Sequence, residues 1–317
     1  MSKPLIFALI GAAGYIAPRH MKAIRDTGNH VTALLDPYDG IGIIDSYFPE
    51  ADYFSEPERF DRHLDKMRRA GDSKIDYVSI CSPNYLHDAH IRMAMRNQAD
   101  VICEKPLVLN PWNIDALAEI ENETGKRINN ILQLRLHDSI RQLKEETEKR
   151  SNEFFDVDLT YITSRGRWYH HSWKGDVSKS GGIATNIGIH FFDMLTWIFG
   201  SVEQSVVHMH NDQKAAGFFK LKNANVRWFL SIDENDLPEE IKGQKRTFRS
   251  IRVNGSEFEF SEGFTELHTE SYKQILAGNG FGLEDARRSI EMVYNIRNAS
   301  IAPLTGDFHP ILNKINK

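Results

Sequence analysis

The alternation of apolar and polar positions changes character near Leu134. Before that point short apolar runs alternate with amphipathic stretches. "LIFALIG" from Leu5, "HVTALLD" ending at Asp36, "IDYVSICSP", "DVICEKP" and "RINNILQLR" read as strands. Between them "APRHMKAIRDTG", "PERFDRHLDKMRRAG", "LHDAHIRMAMRNQ" and "PWNIDALAEIENETG" carry apolar residues at helical spacing, the first stopping at Gly28. Strands alternating with helices predict parallel βαβ units and a doubly wound sheet. Beyond Leu134, "FFDVDLTYITSRG", "SVVHMHND", "AAGFFKLKNANVRWFLSID" and "TFRSIRVNGSEFEFSEG" are apolar at every second position. Asn254-Gly255 in the last of these is a hairpin turn signal. "DSIRQLKEETEKR" predicts a helix before this group, "IGIHFFDMLTWIFG" one inserted in it, and "GLEDARRSIEMVYNIRNAS" a long one near the end. The expected architecture is α/β: an N-terminal doubly wound parallel sheet over residues 1–133, then a C-terminal α+β domain over 134–317 with a large, mostly antiparallel open sheet.

Length agrees with two domains, since 317 residues exceed the ~250–300 at which one core stops growing. A net charge of -5 offers no basic footprint for nucleic acid. No stretch approaches the ~20 apolar residues of a membrane span. The first apolar run leads straight into a glycine turn, so it reads as a strand rather than a signal peptide. Cys81 and Cys103 are the only cysteines. Both follow strand-like runs, which suits reduced thiols in a cytoplasmic protein. No metal-ligand spacing is present, and the His170-His171 pair lacks carboxylate or cysteine companions. The broad antiparallel sheet should expose an apolar face, which predicts a homo-oligomer, dimer or tetramer.

"IGAAGYIAPRH" joins the first strand to the first helix. Gly11, Gly14 and Ala17 form a G-x-x-G-x-x-A pattern, with Ala13, Tyr15 and Ile16 completing the turn. Small residues let backbone approach a pyrophosphate that the helix N-terminus then stabilises. The competing explanation is a glycine turn with no ligand. Asp36 ends the second strand, where a carboxylate accepts a hydrogen bond from the adenosine ribose and repels a 2′-phosphate. NAD is therefore favoured over NADP. Alternatively, Asp36 is a solvated turn residue before Pro37.

Glu104-Lys105-Pro106 places a lysine at the carboxyl end of a core strand, where ligands bind in open α/β sheets. "SICSPNYLH", "ICEKPL" and "GGIATNIGIHFFDMLTWIFG", in this order, resemble the signature segments of the Gfo/Idh/MocA family of NAD(P)-dependent sugar oxidoreductases. Gly188, His190 and Asp193 supply the G-x-H-x-x-D part, and the resemblance covers essentially the whole chain. Within that family, "SWKGDVSKSGGIATNIGIHFFDMLTWIFG", "RWFLSIDENDLPE" and "FSEGFTELHTESYKQILAGNGFGLEDARRSIEMV" resemble the UDP-N-acetylglucosaminuronate 3-dehydrogenases of the WlbA/WbpB type. The resemblance implies a Rossmann domain holding NAD. It also implies oxidation of the C3 hydroxyl of UDP-N-acetylglucosaminuronate (UDP-GlcNAcA) to the 3-keto sugar, in synthesis of bacterial surface polysaccharide (O-antigen). In some relatives a 2-oxo acid serves as second substrate, so recycling of NADH by free NAD or by such an acid stays open. Two departures stand out. The glycine turn is one residue longer than G-x-G-x-x-G, and Asn186 stands where many members carry aspartate, so no acidic role transfers to it.

Alcohol oxidation needs an acceptor for the hydroxyl proton and a substrate held still. Lys105 is the candidate acceptor. The reference lysine pKa of about 10.4 must fall through burial or a nearby positive charge for that role. Glu104 is expected to turn away from the lysine, toward the cofactor amide or backbone. His190 is the second catalytic candidate. Asn186 shares its helix face if the helix already runs there, and Asp193 either holds it or forms a helix ion pair. The resemblance places Ser82, Pro83, Asn84 and His87 along the nicotinamide ribose, although His87 could instead cap its own helix. Arg165, Arg167 and Lys174, with Trp168 and Tyr169 as stacking surfaces, are candidates for the diphosphate and carboxylate, or else a solvated basic loop. Two other functions stay open: a dehydrogenase of a free sugar or inositol, and a catalytically silent NAD-binding sensor. Retention of Lys105 and His190 speaks against the sensor.

Overall fold

The computed structural model describes residues 3–71, 74–150, 152–258 and 266–315. The chain divides into two compact units, the first comprising Met1–Gln133 and Thr265–Arg287. It contains β1 (Ile6–Ile10), α1 (Ala17–Asp26), β2 (His30–Leu35), α2 (Ile41–Asp45), β3 (Asp52–Phe54), α3 (Pro57–Ala70), β4 (Tyr77–Ile80), α4 (His87–Arg96), β5 (Asp100–Cys103), α5 (Pro111–Thr124) and β6 (Ile128–Asn130). The strands lie in the order β3-β2-β1-β4-β5-β6, every pair parallel. This is the doubly wound order, with its reversal between β1 and β4. Helices on both faces explain why β1, β4 and β5 read as unbroken apolar runs.

Three differences from the sequence expectation follow from local chemistry. β3 has only three residues and α2 five, too short to show a period. The strand expected to reach Arg135 stops at Asn130, and Gln133–Leu136 forms a 3₁₀ turn. A helix not foreseen, α10 (Leu267–Leu276), belongs to this unit rather than to the C-terminal one. Its Tyr272 and Ile275 complete the core around Phe7, Leu9, Met21 and Ile24. The boundary expected at 133/134 therefore does not hold for residues 265–287, because this core needs their side chains.

The second unit comprises Leu134–Phe264 and Arg288–Lys317. It contains α6 (Asp138–Lys149), β7 (Phe155–Thr163), α7 (Trp168–His171), α8 (Val177–Ser180), α9 (Ile189–Phe199), β8 (Val202–His210), β9 (Lys214–Leu221), β10 (Ala224–Ser231), β11 (Thr247–Val253), β12 (Ser256–Glu257) and α12 (Leu312–Ile315). The strand order is β12-β11-β7-β10-β9-β8. All pairs are antiparallel except β7 with β10, which run parallel. Asn254 and Gly255 adopt φ of 50° and 81°, the left-handed pair that an Asn-Gly hairpin turn requires. Beyond Phe258, the strand expected through residue 263 lies outside the described residues. A further helix, α11 (Leu283–Asn298), runs through the boundary at Arg287.

Alternate residues of the second sheet face opposite ways. On one face Trp228 stacks on Phe219 at 5.3 Å and meets Phe192 of α9 edge-on at 5.2 Å. On the other, Ile162 and Phe229 pack with Leu312, and His309 Nε2 lies 3.0 Å from Thr160 Oγ1. The chain's own residues 304–315 thus cover part of the face expected to await a second copy. Among the described residues, no helix is long and apolar enough to cross a membrane.

Candidate active site

One cluster of candidate residues, within the first unit, lies at the carboxyl ends of β1, β2, β4 and β5. Gly11 leaves β1 at φ 86°. A Cβ there would sit 2.6 Å from the Cys81 carbonyl carbon and the Ser82 nitrogen, so only glycine fits. Gly14 N–H donates to Gly11 O at 3.0 Å, and Ala17 N–H to Gly14 O at 3.1 Å, which leads the turn directly into α1. Ala13, Gly14 and Ile16 are half-buried and Tyr15 is exposed. Asp36 is buried, and its two oxygens accept from Ala13 N–H and Tyr38 N–H, each at 2.9 Å. The glycine turn therefore orients the carboxylate, rather than leaving it solvated. A bare, tightly turned backbone at a helix start with a fixed acid beside it fits a dinucleotide without a 2′-phosphate.

Ser82, Pro83 and Asn84 leave β4. Ser82 Oγ pairs with His90 Nδ1 at 2.8 Å, and Asn84, also buried, opens a 3₁₀ turn. Burial holds the His90 imidazole down to about 4. His87 is fully buried, with Nδ1 2.7 Å from Pro106 O and Nε2 2.8 Å from Ser82 O. Both ring nitrogens face carbonyl oxygens, of which the neutral ring donates to one, and His87 ties the β4 loop to the β5 loop at the strand ends. Burial also lowers its pKa.

Glu104 N–H closes the β5 ladder on Ile80 O at 3.0 Å, and the chain then turns through a cis Lys105–Pro106 peptide. Lys105 itself is half-buried. The Glu104 carboxylate turns inward. Oε1 lies 3.0 Å from His20 Nε2 and 2.9 Å from His268 Nε2, and Oε2 accepts Lys105 N–H at 3.1 Å. The expectation that it would reach backbone holds for Oε2. The two histidines were missed. Burial opposes the charge, yet hydrogen bonds from His20 and His268 keep this carboxyl well below the usual range. Both histidines sit on the buried stripes of α1 and α10. An ionisable residue on an apolar helix face demands a partner, and that was the available signal.

His20, Glu104 and His268 bring their ligand atoms within 4.8 Å of one another, close enough to hold a metal ion. Their second contacts favour hydrogen bonding instead. A metal on His268 Nε2 would put the proton on Nδ1, and this buried atom has no acceptor among the described residues.

A second cluster of candidate residues, within the second unit, lies where Ala184–Gly188 forms a π-helical turn leading into α9. The helix thus does run through Asn186, as its pairing with His190 required. Gly188 allows close packing, since a Cβ there would lie 2.6 Å from Leu230 Cδ1. From Gly181 to Thr196 every residue is buried except Asn186 and His190. These two side chains therefore turn out of the core together. Asp193 is buried in a bidentate ion pair with Arg135, at 2.7 and 3.0 Å, a partner the sequence did not reveal. Asn186 Nδ2 donates to Tyr169 Oη at 2.6 Å. Burial raises the Tyr169 pKa against the opposing effects of Asn186 and Arg165. Burial, then Arg165, lowers that of Lys174. Arg165, Tyr169, Lys174 and Asn186 thus form one group. Arg167 is exposed and lies over the Trp168 ring at 5.0 Å.

Known proteins resemble this chain in sequence and fold. The GFO_IDH_MocA model of an oxidoreductase family's NAD-binding Rossmann fold matches residues 5–131, and the model of its C-terminal alpha/beta domain matches 154–301. The WlbA (WbpB) dehydrogenase from Thermus thermophilus, solved with NAD and alpha-ketoglutarate, is 50% identical with a TM-score of 0.93, over 97% of this chain and 99% of that one. Solved with NAD and UDP-GlcNAcA, it is 49% identical at the same TM-score and coverage. D-glucoside 3-dehydrogenase from Escherichia coli (strain K12) is 28% identical over 44% of this chain, and inositol 2-dehydrogenase from Rhizobium meliloti (strain 1021) 26% over 63%. This chain spans only 40% and 56% of those two curated relatives, so the full-length match carries more weight. With both domains matched in order and a relative half identical along nearly its whole length, this chain belongs to the Gfo/Idh/MocA oxidoreductase family.

Proposed function

We propose that this protein oxidises the C3 hydroxyl of UDP-GlcNAcA to the ketone with NAD, within the synthesis of surface polysaccharide sugars. The observation that carries the reading is the UDP-GlcNAcA and NAD complex of an enzyme 49% identical over 97% of this chain. The glycine turn around Gly11 and the carboxylate of Asp36 hold the dinucleotide. NAD, when bound, accepts the hydride. Lys105 takes the hydroxyl proton, and its departure point from β5 is held by the ladder and by Glu104. His190 and Asn186 orient the sugar, since both turn out of a buried helix. Arg165 and Lys174 take anionic groups of the substrate. Two crowded cations gain from such a ligand, and arginine matches carboxylate and phosphate geometry. A 2-oxo acid is proposed as second substrate, from the alpha-ketoglutarate complex of the same relative. The buried free thiols Cys81 and Cys103 are taken as those of a cytoplasmic enzyme.

The test mixes purified protein with NAD and UDP-GlcNAcA, with and without 2-oxoglutarate, and follows reduced nicotinamide by absorbance and the 3-keto sugar by mass. Turnover with myo-inositol or free glucose, and none with UDP-GlcNAcA, would replace this reading by the free-sugar one.

A further inference from the structure

The buried carboxylate of Glu104 has a donor arrangement that admits one solution. Lys105 N–H can only donate, so Oε2 accepts. Both imidazole Nε2 atoms face the same Oε1, so both carry protons and donate to it. His20 Nδ1 is then an acceptor, and Tyr272 Oη–H, 2.8 Å away, supplies its proton. The Tyr272 oxygen in turn accepts from Ser79 Oγ–H at 2.6 Å. The chain of donors runs from β4 through α10 and α1 to the end of β5. Every member is buried. Burial pushes the Tyr272 phenol well up and the His20 imidazole down, which keeps both neutral beside a charged Glu104.

We propose that His268 and His20 are positioning residues that clamp Glu104, so that its second oxygen holds the Lys105 backbone where the side chain leaves the sheet. The clamp gives α10 a reason to return to the first unit beyond filling its core. A carboxylate suits the task because one oxygen can take two imidazole donors while the other takes the amide. Glutamine offers a single oxygen and would turn its own N–H toward a donor. The inference rests on the proposed role of Lys105, and one of its tests does not depend on activity.

His268→Leu removes the donor. His268→Gln keeps an N–H near the position of Nε2. Misplacement of a reacting group by about 1 Å costs on the order of 10²-fold. His268→Leu should therefore lower kcat with UDP-GlcNAcA by about tenfold or more, while the dissociation constant for NAD changes less than about twofold. His268→Gln should recover most of the loss. Independently of any substrate, amide hydrogen exchange at Lys105 should accelerate in His268→Leu and return toward normal in His268→Gln. If His268→Leu leaves both exchange at Lys105 and kcat unchanged, or if the two variants are equally impaired, the clamp is wrong. Tyr272→Phe keeps the ring and removes one proton from the chain; faster exchange at Lys105 in a fully folded Tyr272→Phe supports the network, and unchanged exchange overturns its Tyr272 arm. Should the unmodified protein fail to turn over UDP-GlcNAcA, the exchange result still decides the clamp.

Discussion

Lys105 and Lys174 present the same side chain from opposite settings. Lys105 leaves a core strand, and its amide is bound by a buried carboxylate that two buried histidines hold. Lys174 lies in a 3₁₀ turn, Trp173–Gly175, where its amide donates to Ser172 Oγ at 3.3 Å. Its ammonium is half-buried beside an exposed Arg165. The first position depends on four core elements packing correctly. The second depends on a local turn that can change without disturbing a sheet. A scaffold carries the chemistry shared by a family, and loops carry the choice of substrate.

The largest effect is expected at Lys105. Lys105→Met keeps most of the apolar stem and loses the proton acceptor, so turnover should fall by ~10²–10⁴ with NAD still bound. A near-normal rate and an unchanged pH profile in this variant would shift the acid–base role to His190.

A pH titration asks whether buried histidines weigh equally on both units. His90 and His309 are held to about 4 by burial, against an ordinary 6.5. Between those values the unfolded chain binds more protons than the native one, so stability is full above 6.5 and falls as pH drops toward 4. Each histidine should cost about 3 kcal/mol by the end of that window. Glu104, depressed as an acid, loses its contribution in the same direction as pH falls. Urea unfolding at pH 7 and pH 5 measures the slope, and His90→Asn should flatten it if His90 is a source.

The loop side should respond in binding. Neutralising Arg165 and Lys174 together should raise KM for UDP-GlcNAcA by roughly tenfold or more, with kcat and NAD affinity little changed; two lost charged hydrogen bonds of about 1.5–3 kcal/mol each exceed that figure. Arg167→Ala, at an exposed residue stacked on Trp168, should do much less. Equal effects would merge the two groups. On the cofactor side, Asp36→Ala should narrow the preference for NAD over NADP by about tenfold, the size of one lost hydrogen bond to the ribose. Matching kcat/KM values for the two cofactors in the unmodified protein would remove the argument.

Much of the fold could be read from period alone, because β1, β4 and β5 are mostly apolar along their length and β7 alternates. β3 and α2 were too short to show a period. α10 escaped because its buried face mixes His268, Thr269, Ser271 and Tyr272 with only a few aliphatic residues. The site divides the same way. Gly11, Asp36 and Lys105 announce themselves through local motifs, as each acts from a strand end. His20, His268 and Arg135 act through partners 84, 164 and 58 positions away. No local pattern encodes such a pairing; only an ionisable residue on an apolar face hints at it.

The return of α10 to the first unit sets a schedule for the ribosome. Translation proceeds at about 5–20 residues per second, so Tyr272 follows Gln133 by roughly 7 to 28 seconds. For that interval the nascent sheet has β1 to β6 but lacks the ring that packs on Phe7, with centroids 6.0 Å apart once in place. Glu104 meanwhile waits for one of its two imidazole donors. Until α10 is synthesised, the amino-terminal half lacks the Tyr272 and Ile275 side chains that complete its core.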